Sequence, residues 1–240
     1  LVTITGSTFA NNSARQGGGM LIREGDVTLI NSTLSGNRAN STGEGGGGVY
    51  NQNGSLELVN STVTDNYAFY YGGGIVQMNP IASTTISRSI ISGNIAVFGD
   101  ANEIRFLGGA LITGDHNVFG RGEQTNAAAF TGFTPGVTDV NANSDAGNIP
   151  LADILDPTLA ANGGPTMTHN LVAGSPALDM APDADCVAPS PTDGLDQRGF
   201  VRPFDVAGQG NEVTDTCDAG AVEYLSGPPA AAVFMSTRKP

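Results

Sequence analysis

A six-residue pattern returns four times in the first hundred residues and narrows what this chain can fold into. It reads Ser7-Thr8-Phe9-Ala10-Asn11-Asn12, Ser32-Thr33-Leu34-Ser35-Gly36-Asn37, Ser61-Thr62-Val63-Thr64-Asp65-Asn66 and Ser89-Ile90-Ile91-Ser92-Gly93-Asn94. The closing residues Asn12, Asn37, Asn66 and Asn94 are spaced by 25, 29 and 28 positions. Between them lie Gly17-Gly18-Gly19-Met20, Gly46-Gly47-Gly48-Val49 and Gly72-Gly73-Gly74-Ile75, with a degenerate copy at Gly108-Gly109-Ala110-Leu111. A third element alternates polar and apolar residues, as in Asp26-Val27-Thr28-Leu29-Ile30-Asn31. A fixed period of this length marks a repeat architecture in which each unit buries its apolar face against its neighbours.

No window carries helical spacing of apolar residues. Three short β stretches per period, separated by Gly or Asn corners, predict an all-β chain: a right-handed parallel β-helix of 25–29 residues per coil. Coils of this kind stack about 4.8 Å apart, like neighbouring strands of any sheet. Alternation sends Phe9, Leu34, Val63 and Ile91 inward. Asn12, Asn37, Asn66 and Asn94 then form a ladder at one bend, and Gly36 and Gly93 precede it where a positive φ is needed. The triple glycines fall where a coil narrows. Thr8, Thr33 and Thr62 turn outward, a short array that Ile90 interrupts. Leu1 falls inside a repeat, so further coils or a cap are expected before it, because a free strand edge invites pairing.

The repeat fades after Phe119. Coils over 1–119 give way to an irregular stretch, 120–155, anchored by Phe130 and Phe133, and then to a C-terminal cap, 156–225, and a Pro/Ala-rich tail, 226–240. The cap carries an ordered series: Asp156-Pro157-Thr158-Leu159, Asn162-Gly163-Gly164-Pro165-Thr166, Gly174-Ser175-Pro176-Ala177-Leu178-Asp179, Asp196-Gln197-Arg198-Gly199 and Asp218-Ala219-Gly220-Ala221-Val222-Glu223. The coils resemble those of bacterial surface β-helix proteins, including the polymorphic outer-membrane-protein repeats, to which Phe9-Ala10-Asn11-Asn12 and Gly108-Gly109-Ala110-Leu111 are most similar. The series from Asp156 to Glu223 resembles the choice-of-anchor Q module, which closes such a β-helix just before a cell-surface anchor. That resemblance implies an extracellular or bacterial cell-surface location. Physically the series reads as a cap over the lower end of the β-helix, in which Arg198 and Arg202 pair with Asp179, Asp196, Asp218 or Glu223.

Charge and residue inventory exclude several functions. With 23 acidic and 10 basic side chains the net charge is −13, which repels nucleic-acid phosphates. No apolar run approaches the roughly 18 residues of a membrane span. Lyase chemistry needs a base and a carboxylate neutraliser, yet the coils hold no Lys, and Arg15, Arg23, Arg38, Arg88 and Arg105 share no repeat position. Glu24, Asp26, Glu44, Glu57, Asp65, Asp100 and Glu103 show no common register of the kind that pairs carboxylates for hydrolysis. His116 and His169 lack partners at zinc-ligand spacing. No cofactor is expected except Ca²⁺, for which Asp179, Asp183 and Asp185 are the candidate ligands. The reading that follows is a non-catalytic surface β-helix presenting its coil faces to extracellular carbohydrate or surface protein. Its alternative is a carbohydrate-active β-helix enzyme acting on an acidic polysaccharide.

Two cysteines, Cys186 and Cys217, in a chain of this character are expected to form one disulfide in an oxidising compartment. Peptide mapping of protein purified without reductant should recover Cys186 linked to Cys217. Two alkylatable thiols in that material would refute the pairing.

Overall fold

The computed structural model describes residues 1–110, 114–182, 194–210 and 216–226. The first coil consists of β1 (Val2–Thr5), β2 (Thr8–Ala10), β3 (Ser13–Ala14) and β4 (Met20–Ile22). The second repeats it as β5 (Asp26–Ile30), β6 (Thr33–Ser35), β7 (Arg38–Ala39) and β8 (Val49–Asn51). The third is β9 (Ser55–Val59), β10 (Thr62–Thr64), β11 (Tyr67–Ala68) and β12 (Ile75–Gln77). The fourth is β13 (Ser83–Ser87), β14 (Ile90–Ile91), β15 (Ile95–Ala96) and β16 (Ile104–Phe106). A partial fifth contributes β17 (Gly114–Asp115), β18 (Val118–Phe119), the single helical turn α1 (Asn126–Ala129) and β19 (Phe130–Thr131), before β20 (Val140–Asn141). Each of these coil strands pairs in parallel with its equivalent one coil away, giving four stacked sheets and a β-solenoid of about four turns.

Each coil has four strands rather than the three expected. The extra one is the two-residue strand after the Asn bend, too short for its alternation to show in the sequence. Its second residue forms the register Ala14↔Ala39↔Ala68↔Ala96, and Ala39 and Ala68 are fully buried. A methyl is all that fits there, because the glycine corner runs close by. A Cβ on Gly45 would sit 2.8 Å from the Ala68 Cβ, and one on Gly47 2.3 Å from the Gly73 carbonyl oxygen, so bare glycine backbone runs against the alanine column.

Inside the coils the sheets meet in a continuous aliphatic stack. Phe9, Leu34 and Val63 occupy successive rungs, followed by Ile91 and Phe119. Leu34, Val63, Ile91 and Phe119 have no exposed surface. A second stack runs Met20, Val49, Ile75, Ile104, Phe130 on the opposite wall. At the lower end Phe119, Phe130 and Phe133 pack edge to face, with centroids 4.9–6.4 Å apart, and plug the solenoid. At the upper end Val2, Ile4, Met20, Ile22 and Val27 line an open cavity of about 630 Å³.

Among the described residues, the C-terminal part does not close the lower end. It clads one flank, covering the outward face of the sheet β2-β6-β10-β14-β18-β20. Ile154, Leu155, Leu171, Ala177, Leu178 and Val222 form a second core with Ile90 and Val118. Farther up, Thr62 Oγ1 accepts from Ala221 N (3.0 Å), Thr33 Oγ1 donates to Gln197 Oε1 (2.6 Å) and Thr8 Oγ1 donates to the Met167 carbonyl (2.5 Å). The outward Thr array is therefore a docking seam. Thr33 and Thr62 are buried, and Ile90 belongs to the apolar half of the same seam.

Filling positions in the inner stack carry the stability. Leu34→Ala is expected to lower the unfolding free energy by about 2–5 kcal/mol, because neighbouring rungs cannot collapse into the hole. Ile81→Ala, at a residue 76% exposed, should change it by about 0.5 kcal/mol or less. Urea midpoints of the two variants measure the contrast, and equal shifts would contradict this core.

Candidate functional site

Two side-chain ladders bracket the clad sheet, and both run one way. Asn12 N donates to Asn37 Oδ1 (3.1 Å), Asn37 N to Asn66 Oδ1 (3.1 Å) and Asn66 N to Asn94 Oδ1 (3.0 Å), and each Nδ2 donates down the same line. The serines opening the repeat do likewise: Ser7 N to Ser32 Oγ, Ser32 N to Ser61 Oγ and Ser61 N to Ser89 Oγ, then Ser89 N to Asn117 Oδ1. A line of donors must finish on an acceptor. Asn94 finishes on Glu103, whose Oε2 accepts from Asn94 N (3.2 Å) and Nδ2 (2.6 Å). Its Oε1 accepts from Gly93 N (3.0 Å) and Gln124 Nε2 (2.7 Å). Asn117 finishes on Asp139 in the same manner. Glu103 has no exposed surface, and burial pushes its carboxyl up to about 7 against the pull of the Asn94 and Gln124 hydrogen bonds.

The cap arginines are equally absorbed. Arg198 holds Asp196 Oδ2 through Nε (2.9 Å) and Nη2 (2.7 Å), and also reaches Asn170 and the Glu223 carbonyl. Arg202 bonds Glu223 Oε1 (2.5 Å) and the carbonyls of Asp218 (2.8 Å) and Gly220 (2.6 Å), at 1% exposure. Burial raises the carboxyls of Asp218 and Glu223, which share this one guanidinium and titrate together. Asp179 N donates to Asp218 Oδ1 (2.8 Å), so Asp179 joins this network. Asp183 and Asp185 lie outside the described residues, and no three potential metal ligands converge among the residues that are described. Cys217 is buried in the two-residue strand β22 (Thr216–Cys217), paired with β21 (Ala181–Pro182), while Cys186 lies outside the described residues.

Neither histidine faces an open cleft. His169 Nδ1 is 2.8 Å from the Asp156 carbonyl, which can only accept, so Nδ1 carries the proton and Nε2 accepts from Ser35 Oγ at 2.9 Å. This has the geometry of a nucleophile and its base, but both residues are 2% exposed and lie in the seam between sheet and flank. Burial lowers the His169 pKa. His116 Nδ1 sits 2.8 Å from Asp115 Oδ1 at the β17–β18 corner, with Thr138 Oγ1 donating to the same oxygen (3.1 Å). Glu24, Asp26, Glu57 and Asp65 are exposed, with Asp26 and Glu57 on adjacent strands β5 and β9 of one sheet, and Glu44 and Asp100 both engage Arg105.

Position-by-position repeat reading does not single out an aromatic cluster that is open to solvent on the side of the solenoid. At the corner after β11 and β15, Phe69 and Phe98 rings lie 4.9 Å apart, Phe98 and Tyr70 6.2 Å, and Tyr70 and Tyr71 5.1 Å. Phe98 is 63% exposed, with Val97 and Ile95 beside it. Arg105 lies 4.1 Å over the Tyr71 ring while bonding Glu44 (2.6 Å) and Asp100 (3.1 Å), and Arg38 lies 4.2 Å over Tyr67. The legible signal is Tyr67-Ala68-Phe69-Tyr70-Tyr71, which packs four aromatics into five positions of a chain with only 10 Phe, 5 Tyr and no Trp. Compared with described protein families, curated proteins and solved structures, the chain matches none.

Buried titratable groups give opposing pH dependences. The folded pKa of Glu103 lies above its ordinary 4.5, so its contribution to stability is complete below about pH 4.5 and is lost as pH rises to about 7. The Asp218–Glu223 pair acts in the same direction. His169 acts oppositely: lowered from 6.5, its contribution is present above that pH and is lost on acidification. Urea midpoints measured from about pH 5 to about pH 8 should show a smaller alkaline decline in Glu103→Gln than in the parent, and a smaller acid decline in His169→Gln. Curves parallel to the parent would contradict both assignments.

Proposed function

We propose that this chain is a non-catalytic module of a bacterial cell-surface protein, a rigid β-solenoid that presents an exposed coil corner to an extracellular carbohydrate or protein partner. The observation that carries this reading is a division of labour. The most strongly shifted acids, Glu103, Asp218 and Glu223, are sealed inside ladder ends or the flank network, out of reach of a polymer. On the side of the solenoid, the aromatic and arginine corner faces solvent. Large exposed apolar patches on otherwise polar surfaces mark interaction sites. The resemblance of the coils to polymorphic outer-membrane-protein repeats, and of the Asp156–Glu223 series to the choice-of-anchor Q module, supports the surface location, as does the expected Cys186–Cys217 disulfide.

The direct test is incubation with pectate, alginate and glycosaminoglycans, with and without Ca²⁺, following unsaturated-uronate absorbance, alongside pull-down on intact polysaccharides. No turnover is expected. Turnover that a single Asp or Arg substitution abolishes would replace this reading with that of a lyase.

A further inference from the structure

We infer that the corner formed by Phe69, Tyr70, Tyr71 and Phe98 is a binding platform for a neutral glycan, stacking pyranose rings on Tyr70 and Phe98 while the carboxylates and guanidinium around Tyr71 meet the hydroxyls. This deepens the proposed surface function and rests on it.

The platform is built on backbone ladders. Val97 N donates to the Ala68 carbonyl (3.1 Å) and Phe98 N to the Phe69 carbonyl (3.3 Å), so the parallel register of β11 and β15 continues into the corner and sets the rings one rung apart. That rung spacing, about 4.8 Å, is close to the length of one sugar unit in an extended chain. Tyr71 is clamped: a Cβ on Gly99 would lie 2.3 Å from its Cδ1, so the ring rests on bare backbone, with Arg105 at 4.1 Å on the ring. Phe98 is the ring most open to solvent, 63% exposed, and the half-buried Tyr70 lies 6.2 Å from it. Apolar C–H groups of a pyranose pack on such faces, and the negative quadrupole of the ring favours the slightly positive C–H hydrogens.

Size and charge select this ligand over others. Four partly exposed rings offer on the order of 300 Å² of apolar surface. A standard protein interface buries about 800 Å² per partner, so a second copy of the chain gains too little here. An acidic polymer is disfavoured because Arg105 is already neutralised by Glu44 and Asp100, and the chain carries a net charge of −13. A mixed rim of carboxylate and guanidinium groups beside exposed rings matches hydroxyl donors and acceptors.

Affinity electrophoresis in gels containing xyloglucan, mixed-linkage β-glucan, galactomannan or polygalacturonate tests the inference, with the parent chain, Phe98→Ala, Tyr70→Ala and Phe98→Trp. At least one neutral gel should retard the parent. The two Ala variants should bind about tenfold or more weakly with unchanged thermal unfolding, as expected on removing a central anchor, and Phe98→Trp should retain binding. Retardation by a neutral gel that both Ala variants keep would overturn the platform yet leave a surface-binding function standing on another face. Retardation only by polygalacturonate would overturn the neutral-glycan assignment. Absence of retardation together with concentration-dependent dimerisation that Phe98→Ala abolishes would assign the corner to self-association. Absence of both overturns the platform, and turnover in the uronate assay overturns the surface function itself.

Discussion

The Asn and Ser ladders that run through the stacked coils each keep a single direction. In each ladder the backbone N–H of an Asn or Ser in one coil donates to the side-chain oxygen of its equivalent in the next, from coil one to coil four, while the strand ladders around them carry N–H groups that point both ways. A buried line of this kind cannot end on another amide without stranding a donor, which costs about 1–3 kcal/mol. Glu103 and Asp139 end the lines because a carboxylate only accepts. The Glu103 carboxyl is held where burial would otherwise exclude it by four N–H donors, from Gly93 N, Asn94 N, Asn94 Nδ2 and Gln124 Nε2. The Asn and Ser repeats, the loss of the motif after the fourth coil and a fully buried acid are three views of one constraint.

The second constraint is that a four-sheet solenoid has outward faces as well as a core. Three are left polar or mixed, while the face of β2, β6, β10, β14 and β18 shifts from Thr8, Thr33 and Thr62 to Ile90 and Val118 as it descends. The flank that covers it matches this gradient, offering Gln197, His169 and backbone polar groups to the upper rungs and Ile154, Leu155 and Leu171 to the lower. Arg198 and Arg202 tie that irregular flank together, since it has little regular secondary structure to satisfy its carbonyls; Arg202 alone bonds those of Asp218 and Gly220. Removing either arginine would leave buried acceptors and a carboxylate uncompensated.

Much of this was legible in the sequence, because a repeat lets each position be read several times. The inward column Phe9, Leu34, Val63, Ile91 and the Asn column follow from alternation and spacing alone. Glu103 did not, since an acid that replaces a ladder amide sits nine residues beyond Asn94 and outside the motif. The four-strand coil escaped because two-residue strands carry no period. The placement of the cap escaped for a different reason: motifs rich in Pro, Gly and Asp state where a chain turns, and which surface it turns onto is decided by distant partners such as Thr33 with Gln197. The aromatic corner lies outside every repeat column, so a search for regularity passes over it.

That departure from regularity is itself informative about function. Within a solenoid, a residue that repeats is explained by stacking, and one that does not must be explained by something local. Phe98 stacks on Phe69 at 4.9 Å yet remains 63% exposed, an arrangement that leaves apolar surface in water. Burying a side chain of this size is worth roughly 1.5–3 kcal/mol, so keeping it exposed forgoes stability that an inward register would have supplied. Because the ladders of β11 and β15 already fix the backbone beneath these rings, a ligand has little chain to order on arrival, and the usual entropic cost of docking on a loop is small. Rigidity supplied by the repeat and chemistry supplied by its exceptions are therefore complementary, and in this chain they meet at the corner after β11 and β15.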